Sequence, residues 1–237
     1  MLSARSSRSP RELAAPLARA LDPARTALVL SLAGAALAVA IGLATSTLVP
    51  LDFLEEGGPV ETATVYLYVL AAACVLLARL PSLRRVDKAA IGIVLIAFAA
   101  READLHVSLF EFSILKASFY HRHATPGQIV AALAILLPVV LSFLLLLRRH
   151  GGLWLAAPSR WRAPVVTVTT FVVLMLATKV FDRMPAVLVE LRILDAMPAA
   201  LRNVLLALEE VLEMALPLLA ILAVVQGRLP ARGSQDG

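Results

Sequence analysis

Ten ionisable residues lie in or at the ends of stretches that are otherwise apolar: Glu61, Arg101, Glu102, Asp104, His106, Lys179, Asp182, Glu209, Glu210 and Glu213. A charged group in hydrocarbon is expensive unless it is paired or wet, so such groups mark functional positions. Their spacing is chemically specific. Glu102 and His106 are four residues apart, as are Glu209 and Glu213, and Glu210 stands three before Glu213. On a helix these intervals put side chains on one face. Lys179 and Asp182, three apart, can pair directly. Pro217 follows Glu213 by four residues and so leaves the Glu213 carbonyl without its helix donor. In lipid that carbonyl is one more acceptor in need of a partner.

Three carboxyls within five residues cannot all carry charge cheaply in a low dielectric, so they share a proton or bind a cation. The candidate cations are Arg101, Lys179 and a divalent metal. Glu102, His106, Glu209 and Glu213 together offer a metal one imidazole and three carboxylates. Facing helices that present inward Glu and His build carboxylate-bridged metal sites, although those use Glu-x-x-His where this chain has Glu-x-x-x-His. His121 and His123 form a second imidazole pair that zinc would accept. The catalytic candidates are Glu102, His106, Glu209, Glu210 and Glu213. The ligand-binding candidates are Glu61, Arg101, Asp104, Lys116, Lys179 and Asp182. The plainer alternative is that the same charges only pair with one another and lock a helix bundle.

The elements that must position these residues read as six membrane-spanning helices, at about 26–49, 60–79, 88–109, 127–147, 163–183 and 203–225. Each is near the ~20 residues that cross a bilayer. The first is too long for a signal-peptide core and reads as an uncleaved anchor. Gly34, Ala38 and Gly42 recur on one of its faces, a pattern suited to close helix packing. Composition agrees with a membrane protein: 237 residues, 60% hydrophobic, mean hydropathy +0.85. The single cysteine, Cys74, excludes a disulfide framework within the chain.

A net charge of +5 could point to nucleic acid, but the basic residues are distributed by topology. With the N-terminus inside, the inner segments hold 15 of the 22 Lys and Arg and only four acids, Glu12, Asp22, Asp87 and Asp236. The outer half keeps 7 basic residues and 13 of the 17 acids. This is the positive-inside pattern and it places both termini in the cytoplasm. A basic tail at 1–24 and a short tail at 227–237 flank a transmembrane domain at 25–226. Two outer segments look interfacial. The stretch 110–123 scatters aromatic residues among charges, and 185–198 places Val187, Leu188, Leu191 and Leu194 at helical spacing.

Glu209-Glu210 opens like the Glu-Glu-x-x-x-Arg motif of CAAX-processing intramembrane proteases, but Met214 stands where the arginine belongs and no histidine follows. The Ser, Asp and three His of ceramidase-like hydrolases do not fit the four histidines here. No Walker A, GxSxG or His-Glu-x-x-His pattern occurs. The sequence thus predicts an all-α, six-span protein of a bacterial inner membrane, with membrane lipids as partners. Its polar site would open outward and serve as a membrane-embedded enzyme, metal-dependent or not, or as a binding protein for a lipid or small amphiphile. The alternatives are a proton- or cation-coupled transporter and a non-catalytic scaffold.

Overall fold

The computed structural model describes residues 23–45, 57–155 and 163–228. Most of both expected tails therefore lies outside the described residues. The described residues are helical with no strand. In chain order they form α1 (Pro23–Ala44), α2 (Pro59–Leu77), α3 (Arg85–Glu102), a single turn α4 (Leu105–Ser108), a π-helical turn (Phe119–His123), α5 (Pro126–Leu155), α6 (Ala163–Glu190) and α7 (Ala199–Arg228).

Among the described residues, four helices are long and apolar enough to cross a membrane, over Thr26–Ala44, Pro59–Leu77, Pro126–Leu153 and Ala163–Glu190. The chain is a helical membrane protein. Helix α5 exposes Val130, Leu133, Leu137, Val140, Leu141 and Leu144, as a lipid-facing helix must when its solvent is hydrocarbon. Helices α3 and α7 each carry five charged residues.

Helix α7 is the centre of the bundle. It packs against α1, α2 and α6, while α3 packs on α2 and α5. Val211, Leu212, Glu213, Ala215, Leu216 and Pro217 are all buried, so this stretch is covered on every side. Contact with α1 depends on small residues. Ala38 is fully buried against Ala207 and Val211. A Cβ on Gly42 would fall 2.5 Å from the Val204 Cα and 2.9 Å from the Asn203 carbonyl oxygen. The Gly34–Ala38–Gly42 face therefore does what its spacing predicts.

The end of the bundle farther from Glu213 is stapled by polar pairs. Thr167 on α6 donates to Gln226 on α7 at 2.6 Å, both side chains buried. Lys88 donates to the Ala78 carbonyl at 2.8 Å, closing the α2–α3 turn. Asp87, only 3% exposed, accepts from the Arg84 N–H at 3.2 Å and from Arg149 on α5 at 2.7 Å. Asp87 precedes the apolar stretch of α3. Burial alone would raise its pKa, but the hydrogen bonds from Arg149 and Arg84, with the charge of Arg149 and nearby His150, hold it below the usual value.

Three expectations need correction. The third span was expected to run to 109, but α3 stops at Glu102. Asp104 then takes a left-handed conformation (φ 48°), which Asp tolerates, and α4 starts a separate turn. The separate interfacial helix at 185–198 does not form, because α6 continues through Pro185 to Glu190. It closes with Arg192 left-handed (φ 55°), the Arg192 N–H bonded to the Val189 carbonyl and the Ile193 N–H to that of Leu188, the pattern of a Schellman cap. The segment 110–123 turns part of its aromatic surface inward. Phe110, Ile114 and Phe119 are buried with Ala132 of α5, and Phe110 and Phe119 meet edge-on at 5.8 Å.

Two measurements test this architecture. Gly42→Ala should lower the thermal midpoint in detergent by several degrees, since overpacking costs about 1–3 kcal/mol. Gly127→Ala, where a Cβ meets nothing within 4 Å, should lower it far less. The folded pKa of Asp87 lies below its unfolded value of 3.8. Its stabilising contribution is therefore complete above about pH 4–5 and is lost as pH falls through the folded value. Asp87→Asn should flatten the acid limb of stability against pH and leave the neutral-to-alkaline limb unchanged in shape.

Candidate functional site

Helices α2, α3, α6 and α7 converge on one carboxylate. Glu213 lies mid-way along the 30-residue α7, 6% exposed and far from the positive end of its helix dipole. A buried carboxylate there needs cations from neighbouring helices, and two arrive. The Glu213 Oε1 is 2.6 Å from the Lys179 Nζ on α6 and 3.2 Å from the Arg101 Nη2 on α3. The same Arg101 nitrogen is 3.1 Å from the Glu102 Oε1. Arg101 sits in the last turn of α3, where the helix dipole also favours a cation. Arg101 thus stands between the Glu102 and Glu213 carboxylates and serves both.

The groups differ in access. Glu102 and Glu213 are buried, whereas the side chains of Arg101 and Lys179 are 33% and 38% exposed. A cavity of about 10 Å³, room for one water, lies among Tyr68, Phe98, Arg101, Glu102, Met175, Lys179, Glu213 and Leu216. Tyr68 is 1% exposed and packs on Phe98 at 5.6 Å; Phe98 meets Phe171 at 6.1 Å. These rings wall the site on its apolar side. Glu210 lies within electrostatic range of Glu213, Glu209, Glu61 and Glu102. Five carboxyls thus share a neighbourhood with two cations, and the excess must be met by protons, water or a further cation.

No known protein family, characterised protein or solved structure matches the chain. The site must be read from its own geometry.

The structure brings together Arg101, Glu102, Lys179 and Glu213, with Glu209, Glu210 and Glu61 around them. Glu61 also accepts the Gly57 N–H at 2.5 Å at the start of α2. It does not bring in the rest. Lys179 turns to Glu213, not to Asp182, so the expected pair within α6 is not made. Asp182 is 43% exposed and lies 3.8 Å from Arg183. The break at Asp104 takes His106 off the helix of Glu102, so the two do not share a face. The His106 Nδ1 is 3.8 Å from Asp104 and has no hydrogen-bond partner. Lys116, His121 and His123 are exposed, and His123 stacks on Phe112 at 4.1 Å. Among the described residues, no three His, Cys, Asp or Glu side chains converge as a metal ligand set. The four residues expected to hold a metal are split by the α3–α4 break, and one oxygen of Glu213 is already taken by two cations.

Tyr68, Phe98, Met175 and Leu216 were not singled out from the sequence. Tyr68 had one signal, a phenol near the middle of an apolar span, where its hydroxyl needs a polar neighbour.

Removing Glu213 leaves two cations facing each other. Glu213→Gln should destabilise the fold by roughly 2 kcal/mol, below the ~3–5 kcal/mol of a fully buried pair because both cations remain partly exposed. Adding Lys179→Met should restore more than half of that loss. A double-mutant cycle of thermal unfolding in detergent measures it; additive losses would show that the two residues are not coupled.

Proposed function

We propose that the chain crosses a bacterial inner membrane six times, with both termini cytoplasmic, and that its polar cluster binds an anionic lipid or small amphiphile from the outer leaflet. Helices α3 and α7 supply the two further crossings. Within the bundle Arg101, Glu102 and Glu213 meet one another and Lys179. The split of basic residues across the expected loops supports the orientation.

The observation that carries the reading is the pairing of two partly exposed cations on one buried carboxylate. An incoming phosphate or carboxylate headgroup can reach Arg101 and Lys179. Arg101 and Lys179 each carry several N–H donors, so they can hold the headgroup oxygens while still reaching Glu213. Arg101 offers a planar fork and Lys179 a point charge, a combination that recognises a headgroup oxyanion. The acyl chain stays in lipid beside the apolar faces of the helices. Were the site also hydrolytic, Glu102 or Glu213 would act as general base on the single water that the cavity admits.

A second reading, a proton pathway, is favoured by the proximity of Glu102 and Glu213. Against it stands the apolar packing of Leu216, Leu219 and Val224 with Ala71, Ala72, Val75 and Leu95, which separates the cluster from the far end of α7.

Binding of a fluorescent single-chain anionic amphiphile to the protein in phosphatidylcholine nanodiscs tests the proposal. Lys179→Gln and Arg101→Gln should each weaken binding about ten-fold, one charge-assisted hydrogen bond's worth, while a cationic amphiphile of equal chain length binds no better than to empty discs. If binding is unchanged and Glu213→Gln instead abolishes pH-driven proton flux in proteoliposomes, the proton-pathway reading replaces it.

A further inference from the structure

A second polar site lies away from the Glu213 cluster, where the α2–α3 turn meets the last turns of α5. A cavity of about 320 Å³ is lined by Ser82, Arg84, Asp87, Arg149 and His150, with no apolar residue among them. Its volume suits a headgroup-sized ligand, in contrast to the one-water space beside Glu213. Three lining residues carry nitrogen donors. Arg149 uses Nη1 to bond Asp87 at 2.7 Å, which leaves other donors of its guanidinium free to serve a ligand. The bond to Asp87 fixes the fork in place. The His150 Nε2 is buried with no hydrogen-bond partner, 3.7 Å from the Asp87 Oδ2. Arg84 is exposed at the rim, and its backbone N–H is already taken by Asp87. Ser82 adds a hydroxyl.

The chemistry of this set is that of an oxyanion site. Asp87 is the one acid in the lining, and its charge is matched by Arg149. Arg84 remains as the unmatched charge, and the first turn of α3 adds the positive end of an 18-residue helix. Basic pockets between membrane helices take phosphate-bearing headgroups, and a fixed guanidinium fork favours phosphate over a simple halide.

We infer that the Ser82–Arg84–Arg149–His150 cavity binds a phosphate group, carried by a phospholipid headgroup or by a free phosphate ester. Arg149 and Arg84 grip the phosphate oxygens. His150 forms part of the wall, and Asp87 holds Arg149 in register. The site is independent of the Glu213 cluster and does not rest on the function proposed for it. Because its lining joins the α2–α3 turn to α5, occupancy would brace α5, whose packing in the bundle is chiefly with α3.

The test uses the full-length protein in two arms. In the lipid arm, native mass spectrometry counts phosphatidylglycerol or cardiolipin molecules retained by the protein from mixed nanodiscs. In the free arm, inorganic phosphate is titrated against the protein in phosphatidylcholine nanodiscs, with thermal stability as the readout. Arg84→Gln is the main variant, because Arg84 is exposed and makes no ion pair among the described residues, and His150→Ala is the second. Arg85→Gln removes the same charge just outside the cavity. Loss of one retained anionic phospholipid in Arg84→Gln and His150→Ala, with none lost in Arg85→Gln, supports a headgroup. Stabilisation by phosphate with an affinity weakened about ten-fold in the same two variants supports a free phosphate ester. If neither arm shows binding, or if Arg84→Gln and Arg85→Gln behave alike in both, the site is overturned and only diffuse attraction to an anionic surface remains.

Discussion

The constraint on which the structure depends is the need to neutralise one carboxylate in the middle of a buried helix. Glu213 has no dipole end nearby, no run of backbone donors and almost no exposure. Its charge is tolerable only because Lys179 and Arg101 come to it from α6 and α3. That requirement turns Lys179 of α6 and Arg101 of α3 toward α7. It places Tyr68, Phe98 and Phe171 as the apolar wall and leaves Glu102 to share what Arg101 has left. In water such a pair would be worth little. In a low dielectric its members are strongly bound to each other, and a ligand can exchange with them only by replacing charge with charge.

The rest of the bundle supports this point by two kinds of contact. On one side, α1 comes close to α7 because Gly42 and Ala38 leave no side chain in the way. Without a hydrophobic drive between helices in lipid, such close approach is the main source of packing energy. At the far end, the Thr167–Gln226 bond ties α6 to α7 and sets their register. Thr167 is 12 residues before Lys179 on α6, and Gln226 is 13 after Glu213 on α7. Two polar contacts at matching intervals hold an antiparallel pair against sliding. The Asp87–Arg149 pair does the same for α3 and α5. Apolar packing between the two ends keeps the polar groups from forming a continuous path.

Much of the fold was legible in the sequence because hydrocarbon is a simple solvent. The six long helices begin within about four residues of where runs of apolar residues imply. The Gly34–Ala38–Gly42 face packs as its spacing requires. The charges of α3, α6 and α7 were recognisable as a cluster, since an ionisable residue in such a run has few cheap alternatives to a partner. Spacing along one helix failed wherever the backbone departed from a helix. The left-handed Asp104 separates Glu102 from His106, and with them the expected metal set. The continuation of α6 through Pro185 absorbs part of an expected interfacial helix.

The sequence by itself determined that the chain is helical, belongs in a membrane and concentrates its acids and a few cations in α3, α6 and α7. These follow from local composition and from the penalty for unpaired polar groups in lipid, which each segment meets on its own. Only the tertiary structure decided which cation serves which carboxylate. Lys179 had Asp182 three residues away and went to Glu213 instead, because Asp182 is exposed and satisfied by its surroundings while Glu213 is buried and is not. The pairing of charges is set by which of them most needs a partner, and need depends on burial, a property of the folded bundle that no single segment carries.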